Sequence, residues 1–220
     1  MAISFPVSLD EFFHKLAVTS ASPDLSESME VEEDGWGSLI TTDLGERLWE
    51  MDITLAQGYY RDVEAQKAKL HVLRQAGRPL LVFPLPNYFP ANDPDGTILA
   101  SATPTLNTVN PNMRDIRLND MPPGFVLKAG DFLSFQYGSN PIRYAFHQIV
   151  TDTATTFASG LTPAFEVVPN IRDGYTIGAE VQLLYPRFKA LVLPGSVNPG
   201  KSSGKFTTGV TFRVRQTLRY

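Results

Sequence analysis

One stretch of the chain has the spacing of a chemical motif. Gly195-Ser196-Val197-Asn198-Pro199-Gly200-Lys201-Ser202 fits G-x-x-x-x-G-K-[ST], the pattern of a loop that cradles phosphates. Such a loop works only if a helix starts at the lysine, because the free N–H groups of a helix N-terminus hold the anion. The residues from Ser202 onward, SSGKFTTGVTF, carry two glycines and several β-branched side chains, and predict a loop followed by a strand. Eighteen residues remain after Ser202, too few for a further strand–helix unit with a carboxylate for Mg²⁺. The segment is expected to be a Gly/Pro-rich surface hairpin, and nucleotide binding through Lys201 is the enzyme alternative that it leaves.

Other chemistry is sparse. His14, His71 and His147 are the three histidines. His71 sits beside Lys67 and Arg74 with no carboxylate three or four residues away, and His147 falls mid-strand, opposite Tyr144 and Phe146. A metal or hydrolytic site needs several such groups converging, and no spacing here supplies them. Asp93 and Asp95 lie in NDPDG, which lacks the repeated acids and terminal Glu of a calcium loop and is a turn. With no cysteine, thiolate metal sites and disulfides are excluded. The expectation is therefore no catalytic residue, no metal and no cofactor. Phe132, Phe135, Tyr137, Tyr144 and Phe146 could stack on sugars or bases. Their alternation instead predicts a filled barrel, with Tyr137 and Tyr144 as the candidate glycan contacts.

The elements that would carry these residues are mostly strands. Sixteen Gly and seventeen Pro in 220 residues favour turns, and 43% hydrophobic residues can bury a core. A net charge of −4 argues against wrapping nucleic acid, which needs a basic footprint. The first residues lack the basic n-region of a leader, and the longest apolar run, Pro79 to Pro86, is too short to span a bilayer. A soluble chain made in the cytoplasm is expected. From Leu48 to Leu55, Trp49, Met51, Ile53 and Leu55 alternate with polar residues, a half-buried strand. A helix is predicted over about 62–76, capped by Asp62 and stopped by Gly77 and Pro79, with Ala65, Ala68, Val72 and Ala76 along one stripe beside Leu70 and Leu73. Beyond Asn87, turn-separated strands predict a small closed or nearly closed barrel. The last strand returns to the first sheet. Two domains result: 1–86 plus 187–220, a β-sandwich with one helix, and 87–186, an inserted β-barrel.

Charge is divided along the chain. Glu27, Glu30, Glu32, Glu33 and Asp34 cluster near the start, whereas no acid follows Glu180 and Arg213, Arg215 and Arg219 stand at the end. These two segments are expected to pair, within one sheet or across a subunit boundary.

The order of LWEMDITL, a helix ending RQAGRPLLVFPLP, a barrel with GFVLKAGDFLSFQYGS and RYAFHQIV, and a closing TFRVRQTL resembles the distal tail proteins of long-tailed bacteriophages and gene transfer agents. The resemblance implies a belt-like sandwich that builds a hexameric ring, and a barrel projecting outward. It implies a structural virion protein at the tail tip, assembled in the host cytoplasm, in contact with tail tube and hub, with DNA as passing cargo and no membrane insertion. Glu27, Glu30, Glu32, Glu33, Trp36, Trp49, Arg213, Arg215 and Arg219 are the expected interface residues. The alternatives are a carbohydrate-binding module using the barrel, and another minor tail or hub component.

Overall fold

Alternating burial turns the run at Trp49–Leu55 into a strand with one wet face: Trp49, Met51, Ile53 and Leu55 are buried and Asp52 is exposed. A computed structural model describes residues 3–219. Along the chain come β1 (Val18–Leu25), β2 (Met29–Glu33), β3 (Leu39–Asp43), β4 (Trp49–Leu55), β5 (Gly58–Tyr59), helix α1 (Tyr60–Leu73) and β6 (Leu80–Val82). Next are β7 (Thr105–Val109), β8 (Asp115–Asn119), β9 (Val126–Lys128), β10 (Phe132–Tyr137), β11 (Arg143–Ile149), β12 (Thr153–Thr155), β13 (Phe165–Val168) and β14 (Val181–Gln182). The chain closes with β15 (Phe188–Val192), β16 (Asn198–Ser203) and β17 (Phe206–Gln216).

The fold is mainly β. Strands from both ends of the chain build a seven-stranded sheet in the order β1-β4-β17-β15-β6, with β16 and β5 added along β17. The residues between build a six-stranded sheet, β14-β10-β11-β13-β8-β7. Its two edges meet where Thr105 bridges Glu180 and the Val181 amide donates to the Pro104 carbonyl, so it is a nearly closed barrel. Closure removes the unpaired strand edges that an open sheet exposes. Among the described residues, β2 and β3 pair only with each other, as a separate hairpin.

Two hydrophobic clusters fill the molecule. One gathers Phe12, Phe13, Met51, Ile53, Leu80, Phe188 and Phe212. The other gathers Leu106, Ile116, Leu118, Phe135, Phe165 and Val181. Phe132 and Phe146 belong to barrel strands, yet they pack into the first cluster. There the Trp49 ring meets them edge-on, at centroid distances of 5.7 and 5.3 Å. Its Nε1–H donates to the Phe146 carbonyl at 2.8 Å. Trp49 is thus a buried wedge between sheet and barrel, which corrects its expected place at a subunit interface.

The helix differs from expectation at both its start and its buried face. It begins at Tyr60 without a side-chain cap, and Asp62 lies in its first turn. The Tyr60 amide donates to the Lys205 carbonyl at 3.0 Å, so the neighbouring strand hairpin satisfies a donor that a cap usually takes. The buried residues are Val63, Leu70 and Leu73, whereas Ala65, Ala68 and Ala76 face water. Large side chains gain more from burial than alanines do, and they decide the rotation of the helix.

Candidate functional site

The phosphate-loop pattern lies in a strand. Residues 198–203 form β16, paired antiparallel to β17 with Lys201 opposite Thr208, so no helix N-terminus opens at Lys201. Gly200 has φ of +72°, and a Cβ there would overlap the Thr208 carbonyl oxygen. The glycines of this segment serve a tight hairpin. Among the described residues, no three His, Asp or Glu side chains gather as a metal site would require.

Several polar groups have structural partners. Asp93 accepts from the Ile98 and Leu99 amides at 3.1 and 2.9 Å, pinning the NDPDG turn. Asp131 accepts from the Ala91 and Lys128 amides, and burial nonetheless pushes its carboxyl above the usual range. His147 is fully buried, stacks on Phe135, and its Nδ1 lies 2.7 Å from the Pro169 carbonyl oxygen. Burial lowers its pKa to about 4, so the ring is neutral at pH 7 and Nδ1–H donates.

The expected glycan contacts separate. Tyr137 is buried, with its hydroxyl near Arg172, which corrects its expected role at the surface. Tyr144 is half-buried and does line a groove of about 340 Å³, with Gln136, Glu180, Gln182 and Arg187. The Gln136 amide donates to the Tyr144 hydroxyl at 3.1 Å, and Gln182 donates to Glu180.

The expected interface residues also divide. Arg213 forks onto both carboxylate oxygens of Asp52, at 2.7 and 2.8 Å, and Arg215 reaches Glu50 at 3.3 Å. Their partners are acids of the adjacent strand β4, a correction to the expected match with the 27–34 segment. Arg219 is exposed at the end of the described chain. Glu27, Glu30, Glu32, Glu33 and Trp36 all lie on or beside the β2–β3 hairpin, and all are exposed.

That hairpin is the most unusual surface of the molecule. Every residue of both strands is exposed. Strand register places Met29, Val31 and Leu39 on one face, and Glu30, Glu32 and Ile40 on the other. Trp36 stands at the tip, 95% exposed. Its turn is well built: Asp34 accepts from the Trp36 and Ser38 amides, both at 2.9 Å, and Gly37 takes the positive φ. The base is anchored as well. Arg172 of the barrel half bonds the Glu46 carboxylate at 2.5 Å and the Arg47 carbonyl at 2.9 Å. Between anchored base and ordered tip, large apolar side chains are left exposed. Scattered exposed apolar residues are ordinary, but a contiguous set rimmed by acids marks an interaction surface.

A second such surface was not foreseen. Tyr59 and Phe206, 41% and 50% exposed, face each other across β5 and β17, beside the exposed Lys201, Lys205 and Arg61. Its only sequence signal is GKSSGKF, two lysines and an aromatic around a turn. No protein-family model matches the chain, and neither does any curated protein sequence. No helix among the described residues is long and apolar enough to cross a membrane.

Proposed function

We propose that this chain is a structural virion protein, a ring-forming adaptor at the tip of a phage or gene-transfer-agent tail. It would join the tail tube to the hub or receptor-binding apparatus, with DNA passing through rather than bound. The observation that carries this reading is the β2–β3 hairpin, an ordered projection of apolar and acidic side chains that pairs with no other strand among the described residues. It rises from the helix-bearing sheet, the half to which the resemblance assigns ring building. The interposed barrel supports the same reading, because it leaves the sheet's two end segments side by side.

The test is mass photometry and cryo-microscopy of the purified chain, with mass spectrometry of isolated particles. Six-fold rings and presence in virions are expected. A strict monomer that is also absent from particles would defeat the proposal.

The groove at Tyr144 favours a second reading, a carbohydrate-binding tail module. Planar amides, a carboxylate and a phenol are the groups that hydrogen-bond sugar hydroxyls. On a glycan array, binding lost in Tyr144→Ala supports this reading, and a blank array removes it.

A further inference from the structure

We infer that the β2–β3 hairpin of one copy docks on the Tyr59–Phe206 surface of the next, making a head-to-tail interface. The inference rests on the self-assembly proposed above and deepens it by naming both halves of the contact.

Position within the sheet argues first. The hairpin leaves the sheet where Leu25 pairs with Trp49, at the start of β4. Tyr59 and Phe206 lie beyond the other end of that strand, past the pairing of Thr54 with Thr211. Seven residues of β4 separate the ends, roughly 20 Å at about 3.3 Å per residue. The hairpin, anchored at its base by Arg172, therefore points away from its own chain's Phe206. Two surfaces at opposite ends of one subunit are the geometry of heterologous association, which gives a ring where the rotation between copies closes and a filament where it does not.

Chemistry argues second. The hairpin offers Met29, Val31 and Leu39 on one face, with Trp36 at the tip, and the acids that share that face are the exposed Glu33 and Asp43. The opposite end offers two aromatic rings with three exposed cations, Lys201, Lys205 and Arg61, against one exposed acid, Asp62, beside Tyr59. An apolar centre with a charged rim is the usual anatomy of an interface, and here the rims have opposite sign. Arg213 and Arg215, the other basic candidates, already have in-chain carboxylates. The ordered tip turn also reduces the conformational freedom lost on docking.

The test uses charge reversal in the full chain, read by mass photometry and analytical ultracentrifugation. Glu33→Lys/Asp43→Lys and Lys201→Glu/Lys205→Glu alter only exposed residues, so melting temperatures should match the parent. Each double variant alone should dissociate, with apparent affinity at least tenfold weaker. Mixed one to one, they should reassemble, because each hairpin then meets a patch of opposite charge. Trp36→Ala/Leu39→Ser should dissociate without rescue by either. If the parent assembles and all variants assemble equally, the hairpin contact is overturned and the ring survives. If the hairpin variants dissociate but the lysine variant does not, the docking site is wrong. A variant hairpin that loses a different virion protein instead would overturn the second copy as its partner. A parent that is monomeric at every concentration overturns the docking inference, and only its absence from particles as well defeats the adaptor reading.

Discussion

At the scale of single residues, burial decides how His147, Tyr137 and Trp49 behave. His147 is the clearest case. Its folded pKa, about 4, lies below the ordinary value of 6.5. Between those values the unfolded chain takes up a proton that the native chain refuses. Stability present above pH 6.5 is therefore lost as pH falls toward 4, by about 3 kcal/mol in all. His147→Gln keeps an N–H donor for Pro169 and removes the titration. Urea titrations from pH 7 to 4 should show a flatter curve for the variant, and an unchanged slope would assign the acid sensitivity to other groups. The sequence placed His147 on a strand among aromatics, and that much was legible. Its burial depends on a carbonyl 22 residues away, which periodicity does not report. Tyr137 and Trp49 teach the same lesson. Their types suit surfaces, but what seals them is Arg172 in one case and the barrel's Phe132 and Phe146 in the other.

At the scale of elements, strands were more legible than the helix. The turn-separated strands expected beyond Asn87 appear, because alternation and turn residues act locally. The helix start and buried face depend on Lys205 and on the sheet beneath, which lie far along the chain. The β16–β17 hairpin shows how one glycine holds an element. Gly200→Ala would strain a left-handed backbone and press a methyl group on Thr208. It should destabilise the fold by about 1–3 kcal/mol, read as a lower Tm and faster amide exchange around Lys201. Arg172→Met tests the other hairpin. Loss of its bonds to Glu46 and Arg47 should speed exchange across 44–48 more than in the barrel strands away from Tyr137. Equal acceleration throughout the barrel would show that Arg172 supports the barrel instead.

For the whole molecule, the tie between sheet and barrel is the feature that composition could not reveal. The shift at Asn87 marks where strands of one sheet give way to the other, but nothing near it announces that Trp49 fills the gap. Trp49→Ala removes that wedge and leaves the Phe146 carbonyl without its donor. A cost of about 3–5 kcal/mol is expected, measured by urea denaturation with far-ultraviolet circular dichroism. A loss below 1 kcal/mol would mean that the two halves stand independently. One pairing described above has a wider use. Phe188 lies opposite Val82, so the chain departs for the barrel and comes back from it on hydrogen-bonded neighbours. That makes the junction a grafting port: a different module can be spliced there without disturbing strand register, provided it carries two rings to cover the Trp49 indole.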